Sequence, residues 1–305
     1  MTDKQQLWTG ATEAMQAIMP FYRQAMTQAI EKSGVTDWFA LTLARGAAPE
    51  PFSALRFHGL YPYVSLQRQT DMLTELAKGA FLEAVGSDAY RITERGREIL
   101  AGIYHPAYES MQTVAPLSPD EMKQLNDLLW RVVQAALNAP EPKDKLGITA
   151  SRANDPGEGW GALVKTDQYL TDLYSFRDDA HIAAWKPYGV SGKTWEALSF
   201  VWEGKARTAQ ELAEKLPFRA HTQEDYAQSL EELVRLGWIQ PADGGYQITE
   251  KGRALRQEAE DSTNRYHLAA WDCLCDQEQA QLYDLLTWFR DKLEQLAETH
   301  EERTK

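Results

Sequence analysis

The strongest constraint on the fold is that one sequence pattern occurs twice in the same order. Residues 90–97 (YRITERGR) return 156 positions later as residues 246–253 (YQITEKGR). Two further pairs repeat at an offset of 157, namely 38–41 with 195–198 and 117–130 with 274–287. A repeat of this length is a whole domain, since solenoid units have only about 20–50 residues. The sequence therefore predicts two similar modules joined in one chain.

Length and composition agree with two folded domains of ordinary size. The chain has 305 residues, of which 43% are hydrophobic and 25% charged, which is normal for a soluble protein. No run of about 18 apolar residues predicts a membrane span, and the polar start lacks the apolar core of a signal peptide. Cys273 and Cys275 are too few for a zinc site and are interpreted as reduced thiols. We therefore expect a cytoplasmic protein with no membrane partner and no metal or other cofactor.

The charge balance bears on nucleic-acid binding. The formal net charge is −13 and the isoelectric point is about 5.0. Because non-specific affinity for nucleic acids comes from Lys and Arg replacing counterions, this charge counts against a general polyanion binder. It does not exclude a local basic face.

Hydrophobic periodicity predicts the same order of elements in both halves. In the second half Thr208 and Glu211 form a capping box, Pro217 ends the helix that they begin, and glycines between 238 and 248 favour a hairpin. The predicted helices of the first half cover about 11–32, 36–44, 51–58, 64–78, 94–104 or beyond, and 118–137, with a hairpin of 81–83 and 90–92. Those of the second half cover 169–185, 195–202, 208–216, 222–236, 250–268 and 276–296, with a hairpin of 238–239 and 246–248.

Between the halves lies a segment rich in proline and glycine. It covers residues 139–165, and no helical period is visible in it. We interpret it as a linker draped over the surface, with Trp160 pinning it to one module. The predicted domains are 1–138 and 166–305.

The order helix, helix, turn, helix and hairpin is typical of a winged helix-turn-helix. A strand, then I-T-x-x-G-R, a long helix and a helix that begins L-[SC]-x-[DE]-[EQ] resembles the tail of the MarR-type winged-helix regulators. In that family the leading and trailing helices build a dimer interface, and two winged heads grip neighbouring major-groove segments. The resemblance implies a mainly α fold with small β-hairpins, in which two tandem modules form an intramolecular MarR-like pseudo-dimer.

The second half is also similar to the SalK-like actinobacterial winged-helix proteins. Those proteins carry an R-x-D-x-H-type helix, a G-[LV]-x-G turn and an apolar E-A-L helix. Here the matching residues are Arg177, Asp179 and His181, followed by residues 189–192 and 196–198. The wing tips depart from the MarR pattern, because residues 86–89 and 242–245 contain no Arg or Lys. Insertion of the wings into the minor groove is therefore not expected.

The third helix of each module is the one that a helix-turn-helix places in the major groove. In module one, polar side chains suited to base edges lie at its start, and basic residues nearby are suited to phosphates. The DNA-binding candidates are Arg56, His58, Tyr63, Ser65, Gln67, Arg68, Gln69 and Lys78, with Arg219 and His221 in module two. In module two, Glu224 and Asp225 favour the helix dipole and would repel phosphates, so module one is the better reader of DNA. The alternative for Arg68 is a solvated surface residue.

A second cluster suggests a ligand pocket. Arg177, Asp178 and His181 lie on neighbouring helical positions, and the module is rich in large rings. Trp185, Trp195 and Trp202 complete the predicted pocket, which suits a small apolar effector. The alternatives are that the rings are core and that Arg177 and His181 make structural hydrogen bonds between the modules. Catalysis at Arg177, Asp178 and His181 is a distant third possibility, because the sequence lacks a nucleophile elbow, a phosphate-binding glycine loop or paired histidines.

Two functions follow from these patterns. The first is a ligand-responsive transcription regulator that binds DNA as a single-chain pseudo-dimer, either monomeric or weakly dimeric. The second is a degenerate winged-helix scaffold that binds a small apolar ligand or a protein and no longer binds DNA.

Overall fold

The structure is a computed structural model that describes residues 3–304, with side chains described for residues 3–298. The first half contains six helices and one hairpin: α1 Lys4–Ser33, α2 Trp38–Ala47, α3 Ala54–Leu60, α4 Leu66–Lys78, β1 Leu82–Ala84, β2 Tyr90–Ile92, α5 Glu94–Gln112 and α6 Pro119–Asn138. One more helix, α7 Leu146–Arg152, precedes the second half. The second half contains α8 Ala162–Trp185, α9 Gly192–Trp202, α10 Ala209–Lys215, α11 Gln223–Arg235, β3 Ile239–Ala242, β4 Gly245–Ile248, α12 Glu250–Leu268 and α13 Asp276–Thr304. The mainly helical architecture with small antiparallel hairpins is confirmed, whereas an origin by duplication stays a prediction.

The repeated I-T-x-x-G motif has the same local geometry in both halves. Thr93 and Thr249 both have φ −84° and ψ 169°, and each hydroxyl accepts a hydrogen bond from the glycine three residues later. A side chain on Gly96 or Gly252 would overlap the carbonyl oxygen of Phe81 or Trp238. The motif therefore fixes how a wing hairpin passes into the long helix that follows it.

The buried side chains form one shared helical body and two separate heads. The body joins long helices of both halves, with Leu125, Val132, Phe176 and Phe289 fully buried at its centre. Head one, formed by α2–α4 and β1–β2, has a core around Leu41 and Leu73. Head two, formed by α9–α11 and β3–β4, has a core around Trp195 and Tyr226.

The prediction of a draped linker is wrong for residues 146–152, which form helix α7. Ile148 is fully buried in the body, and the buried Asp179 of α8 accepts hydrogen bonds from the backbone nitrogens of Gly147 and Ile148 at 2.7 and 3.0 Å. Asp172 accepts from Ser151 and Arg152 at 2.6 and 2.8 Å. These partners lie on another helix, so no local periodicity reveals a helix of this length.

Trp160, by contrast, pins its segment as predicted. Its ring lies 5.2 Å from that of His105 and 5.0 Å from that of Tyr108, both on α5.

Candidate nucleic-acid interface and ligand cavity

The side chains at the start of α4 are mostly engaged within the protein. Arg68 pairs with Asp37 at 2.8 Å, and the Gln67 amide donates to Asp71 at 2.8 Å. Gln69 is fully buried and donates to the carbonyl oxygen of Tyr61 at 2.9 Å. Of the three, only Gln67 is exposed. Their role in reading bases stays a prediction.

The predicted phosphate-binding residues near α4 differ in whether their side chains are already paired within the protein. His58 Nδ1 lies 3.1 Å from the amide oxygen of Gln69, and Lys78 pairs with Glu75 at 2.7 Å on the surface. Arg56 is exposed, and its guanidinium has no hydrogen bond or ion pair to any residue that the structure describes. Arg56 is thus the most available cation of the predicted set.

The two heads touch each other through a contact that we call the head contact, formed by Tyr63, Ser65, Trp185, Arg219 and His221. The Ser65 backbone nitrogen donates to the carbonyl oxygen of Arg219 at 2.9 Å. His221 Nε2 donates to the carbonyl oxygen of Tyr63 at 2.9 Å, and Trp185 Nε1 donates to the Tyr63 hydroxyl at 2.9 Å. The Arg219 guanidinium lies 5.3 Å from the centre of the Tyr63 ring. Four of the ten predicted DNA-binding residues therefore join the heads to each other.

This contact sets the spacing of the two third helices. Because Ser65 caps α4 and Arg219 lies three residues before the cap of α11, the two helix starts are within about 15 Å of each other. Successive major grooves on one face of DNA are about 34 Å apart. In the described arrangement the heads therefore do not reach two neighbouring grooves, as a MarR-like pseudo-dimer would require.

The acidic start of α11 has a structural role. The side chain of Asp225 completes a capping box with Thr222, and hydrogen bonds from the Thr222 backbone and hydroxyl lower the pKa of Asp225 to about 2. Arg219 is paired with Glu196 through both nitrogens of one edge, at 3.0 and 2.7 Å. The charge of Arg219 is thus neutralised within head two and does not offset the acidic start of α11.

The predicted pocket residues Arg177 and His181 lie on α8 and face α12 of the same half. Arg177 is 3.7 Å from Glu260, and His181 Nδ1 is 3.4 Å from the Thr263 hydroxyl. Burial and the nearby Arg256 lower the pKa of His181 to about 4, so the ring is neutral at pH 7. The alternative of structural hydrogen bonds between the modules is corrected in one respect: these bonds lie within the second half.

The ring members of the predicted pocket lie close together: the His181 ring is 6.4 Å from that of Trp195, and Arg256 lies over both Trp195 and Trp202. Asp178 is exposed, whereas Trp195 is fully buried between Trp185 and Tyr188, with ring separations of 5.8 and 5.7 Å. Trp202 carries the Arg256 guanidinium 4.8 Å from its ring centre. Trp185 and Trp195 belong to the core of head two, and the cavity described next lies elsewhere.

A cavity of about 260 Å³, partly open to solvent, lies where head one meets the helical body. Helices α1, α2, α5, α7 and α8 contribute to its wall, together with the turn after α3. Its polar wall includes four tyrosines and one carboxylate: Tyr22, Tyr61, Tyr104, Tyr108 and Asp167. The sequence did carry one signal for it, because Asp167 lies between the buried Leu163 and Leu170 of α8, where a carboxylate is unusual.

The ionisable groups of the cavity wall are strongly affected by burial. Burial raises the pKa of Asp167 to about 7, and no neighbouring cation offsets this effect. Burial likewise raises the pKa of Tyr22, Tyr61 and Tyr108 above the usual value, so these phenols stay neutral. Arg45 also borders the cavity: its Nε donates to Asn154 at 2.6 Å, and its guanidinium lies 5.2 Å from the centre of the Tyr104 ring.

One short segment connects the cavity with the head contact. Tyr61 borders the cavity and accepts the hydrogen bond from Gln69 of α4. Two residues later, Tyr63 bonds to Trp185 and His221. Between them, the carbonyl of Pro62 lies so close to Gly192 that a side chain at Gly192 would overlap it. This part of the cavity wall is thus adjacent in sequence to a residue that holds the heads together.

Residues 3–304 include no helix that is both long and apolar enough to cross a membrane. No group of three or more His, Cys, Asp or Glu is arranged to hold a metal ion in that part of the chain.

These elements define a helix-turn-helix protein, with the helical pairs α3–α4 and α10–α11 each followed by a small hairpin. A family model described as a helix-turn-helix family matches residues 95–297, about two thirds of the chain, and the chain belongs to this family. At a coarse level, membership indicates a DNA-binding regulator. The match includes α10–α11 and leaves α2–α4 outside it. No curated protein and no solved structure matches the chain.

Proposed function

We propose that the protein is a ligand-responsive transcription regulator that binds DNA as a single-chain, MarR-like pseudo-dimer, and that the described arrangement is its closed form. In this form the head contact keeps the two third helices too close for neighbouring grooves. A ligand in the cavity changes DNA affinity to the extent that it prefers one spacing of the heads over the other.

The observation that carries this proposal is the position of residues 61–63. This segment borders the cavity at Tyr61 and makes the head contact at Tyr63. Displacement of the Tyr61 ring by a ligand would therefore move the backbone that supplies the acceptor for His221. It would also move Gln69, which anchors α4 to the Tyr61 carbonyl.

The strength of the head contact is compatible with such a switch. Its three hydrogen bonds contribute about 1 kcal/mol each, and the interaction of Arg219 with Tyr63 adds about 0.5–1 kcal/mol. A total of a few kcal/mol is within what a ligand with different affinities for two states can overcome.

Selection of binding sites from random double-stranded DNA tests the proposal. The wild type is compared with Gly192→Ala, whose new methyl group pushes against the Pro62 carbonyl and so weakens the head contact. The matched control is Gly102→Ala on α5, where an added Cβ meets nothing within 4 Å. We expect an enriched sequence whose affinity falls with salt and rises at least threefold in Gly192→Ala, with Gly102→Ala unchanged. If neither the wild type nor Gly192→Ala enriches any sequence, the proposal is wrong.

The second candidate function is a helix-turn-helix scaffold that binds a ligand or a protein without binding DNA. It is favoured by the net charge of −13 and by the pairing of Arg68 and Arg219 with Asp37 and Glu196. The same selection decides between the two, because a scaffold enriches no sequence in either the closed or the loosened form.

A further inference from the structure

We infer that the cavity binds a small zwitterion of amino-acid type, with its ammonium group at Asp167, its carboxylate at Arg45 and its side chain among the tyrosine rings. The inference deepens the proposed function by naming the class of ligand. Its test, however, measures binding in the absence of DNA.

The acidic end of the cavity lacks a counterion. The side chain of Asp167 has no hydrogen bond or ion pair to any of the residues that the structure describes. A buried carboxyl group in this condition is costly, and burial has accordingly raised its pKa to about 7. An ammonium group supplies both the missing charge and the missing hydrogen-bond donors, and Tyr22 and Tyr108 in the same cavity wall are aromatic residues that suit a cation.

The basic end of the cavity is also incomplete. Arg45 is held by one hydrogen bond from Nε to Asn154 and by the face of Tyr104. Within residues 3–298 no carboxylate pairs with it, and its two terminal amino groups donate no hydrogen bond. A ligand carboxylate can accept from such a planar group with two parallel bonds.

The two charges lie at different parts of the cavity. Burial raises the pKa of Tyr108, the positive charge of Arg45 opposes this, and the negative charge of Asp167 adds to it. The positive charge of Arg45 lowers the pKa of Tyr104, whereas the negative charge of Asp167 raises the pKa of Tyr22. Arg45 lines the cavity from α2 and Asp167 lines it from α8, so a ligand that pairs with both needs two opposite charges.

Volume and lining limit the size and character of that body. The cavity of about 260 Å³ is just below the range of about 300–1,000 Å³ that is usual for ligand pockets, so the ligand is small. Phe39, Leu60 and Met111 also border the cavity and favour an apolar side chain. A wholly apolar effector would displace water from Asp167 and Arg45 without pairing with either group, and it is therefore disfavoured.

The test is isothermal titration calorimetry of the full chain with the protein-forming amino acids, one at a time. Phenethylamine and 3-phenylpropionate serve as single-charge counterparts of phenylalanine, and the corresponding amine and acid serve for any other amino acid that binds. We expect at least one amino acid to bind with a Kd below 1 mM, a value that corresponds to about −4 kcal/mol. We expect each of its single-charge counterparts to bind at least tenfold more weakly.

Two variants locate the site. Asp167→Asn and Arg45→Gln should each weaken binding of that amino acid at least tenfold. The matched controls Asp284→Asn and Arg97→Gln remove exposed charges outside the cavity and should leave binding unchanged. Thermal unfolding of each variant shows whether it is folded, and the counterpart series on the wild type stands whether or not the variants fold.

The inference is overturned if no amino acid binds, or if a single-charge counterpart binds as tightly as the zwitterion. It is equally overturned if binding survives both Asp167→Asn and Arg45→Gln. If no amino acid binds but the DNA selection enriches a sequence, only this inference is contradicted. Binding without any enriched DNA sequence contradicts only the regulatory proposal.

Discussion

At the scale of single residues, Asp167 shows what an unpartnered carboxyl group does to stability. Its pKa in the folded protein is about 7, well above the value of about 3.9 in an unfolded chain. The folded state therefore holds more protons than the unfolded state between these two values, so its stability falls as the pH rises through that window. The loss is complete about one pH unit above the folded-state pKa.

Asp167→Asn should remove this pH dependence. Between pH 5 and pH 8 the wild type should lose about 2 kcal/mol more unfolding free energy than Asp167→Asn does, because the carboxyl group ionises in this range and the amide does not. Urea unfolding followed by circular dichroism at both pH values measures the difference. A constant difference between the wild type and Asp167→Asn across this range would show that the carboxyl group is already compensated.

Residue identity predicted the surface character of α4 but not the partners of its side chains. That Gln67 and Arg68 lie near the start of a polar helix follows from the sequence. Arg68 nevertheless pairs with Asp37, which is 31 positions earlier in the chain, and Gln69 is buried against the Tyr61 carbonyl. Such long-range pairs depend on how the helices of head one pack, and periodicity carries no information on that.

At the scale of elements, the repeated motif and the connecting segment behave in opposite ways. The hairpin-to-helix passages at Thr93 and Thr249 are encoded locally, because a capping hydroxyl and a glycine are sufficient to specify them. Helix α7 is not, since its first residue follows Lys145, whose side chain does not cap it. Its N-terminus is held instead by Asp179 from α8.

Substitutions on α7 test whether this helix is structural. Ile148→Ala should lower the free energy of unfolding by about 2–4 kcal/mol, because it leaves a cavity in the body. Leu146→Ala, at a side chain that is 42% exposed two residues earlier, should cost less than about 1 kcal/mol. Chemical unfolding of the two variants measures the contrast. If both substitutions lower the free energy of unfolding by equally small amounts, the segment is a linker and not a structural helix.

At the scale of the whole molecule, the helical body joins the two halves and the head contact sets their spacing. The sequence predicted two heads on a shared body. It did not predict that they meet, because the contact depends on backbone groups such as the carbonyls of Tyr63 and Arg219. Backbone acceptors are present at every residue, so no residue type marks them in advance.

The spacing of the heads can be measured directly. Spin labels attached through Gln67→Cys and Glu224→Cys lie at exposed positions on α4 and α11, in a chain whose two free cysteines are first replaced by serine. Electron–electron dipolar spectroscopy should give a short, narrow distance distribution in the closed form. Gly192→Ala should shift this distribution towards about 34 Å, the groove spacing, while Gly102→Ala leaves it in place. A distribution that is already broad and long in the unmodified background would mean that the heads do not meet in solution.

Tyr104 and Arg45 of the cavity wall are not repeated in the second half of the sequence, and this determines how the protein would respond to a metabolite. At the repeat offsets of 156 and 157, Tyr104 corresponds to Glu260 and Arg45 to Trp202. In that place the second half has the buried Trp195 and the ion pairs of Glu260 with Arg177 and Arg256. A ligand bound as proposed would therefore occupy one site of this kind in each polypeptide, and its occupancy would follow a plain hyperbola. DNA binding would then change gradually over roughly two decades of ligand concentration. A symmetric dimer with two such cavities can instead respond cooperatively, over a narrower range of ligand concentration.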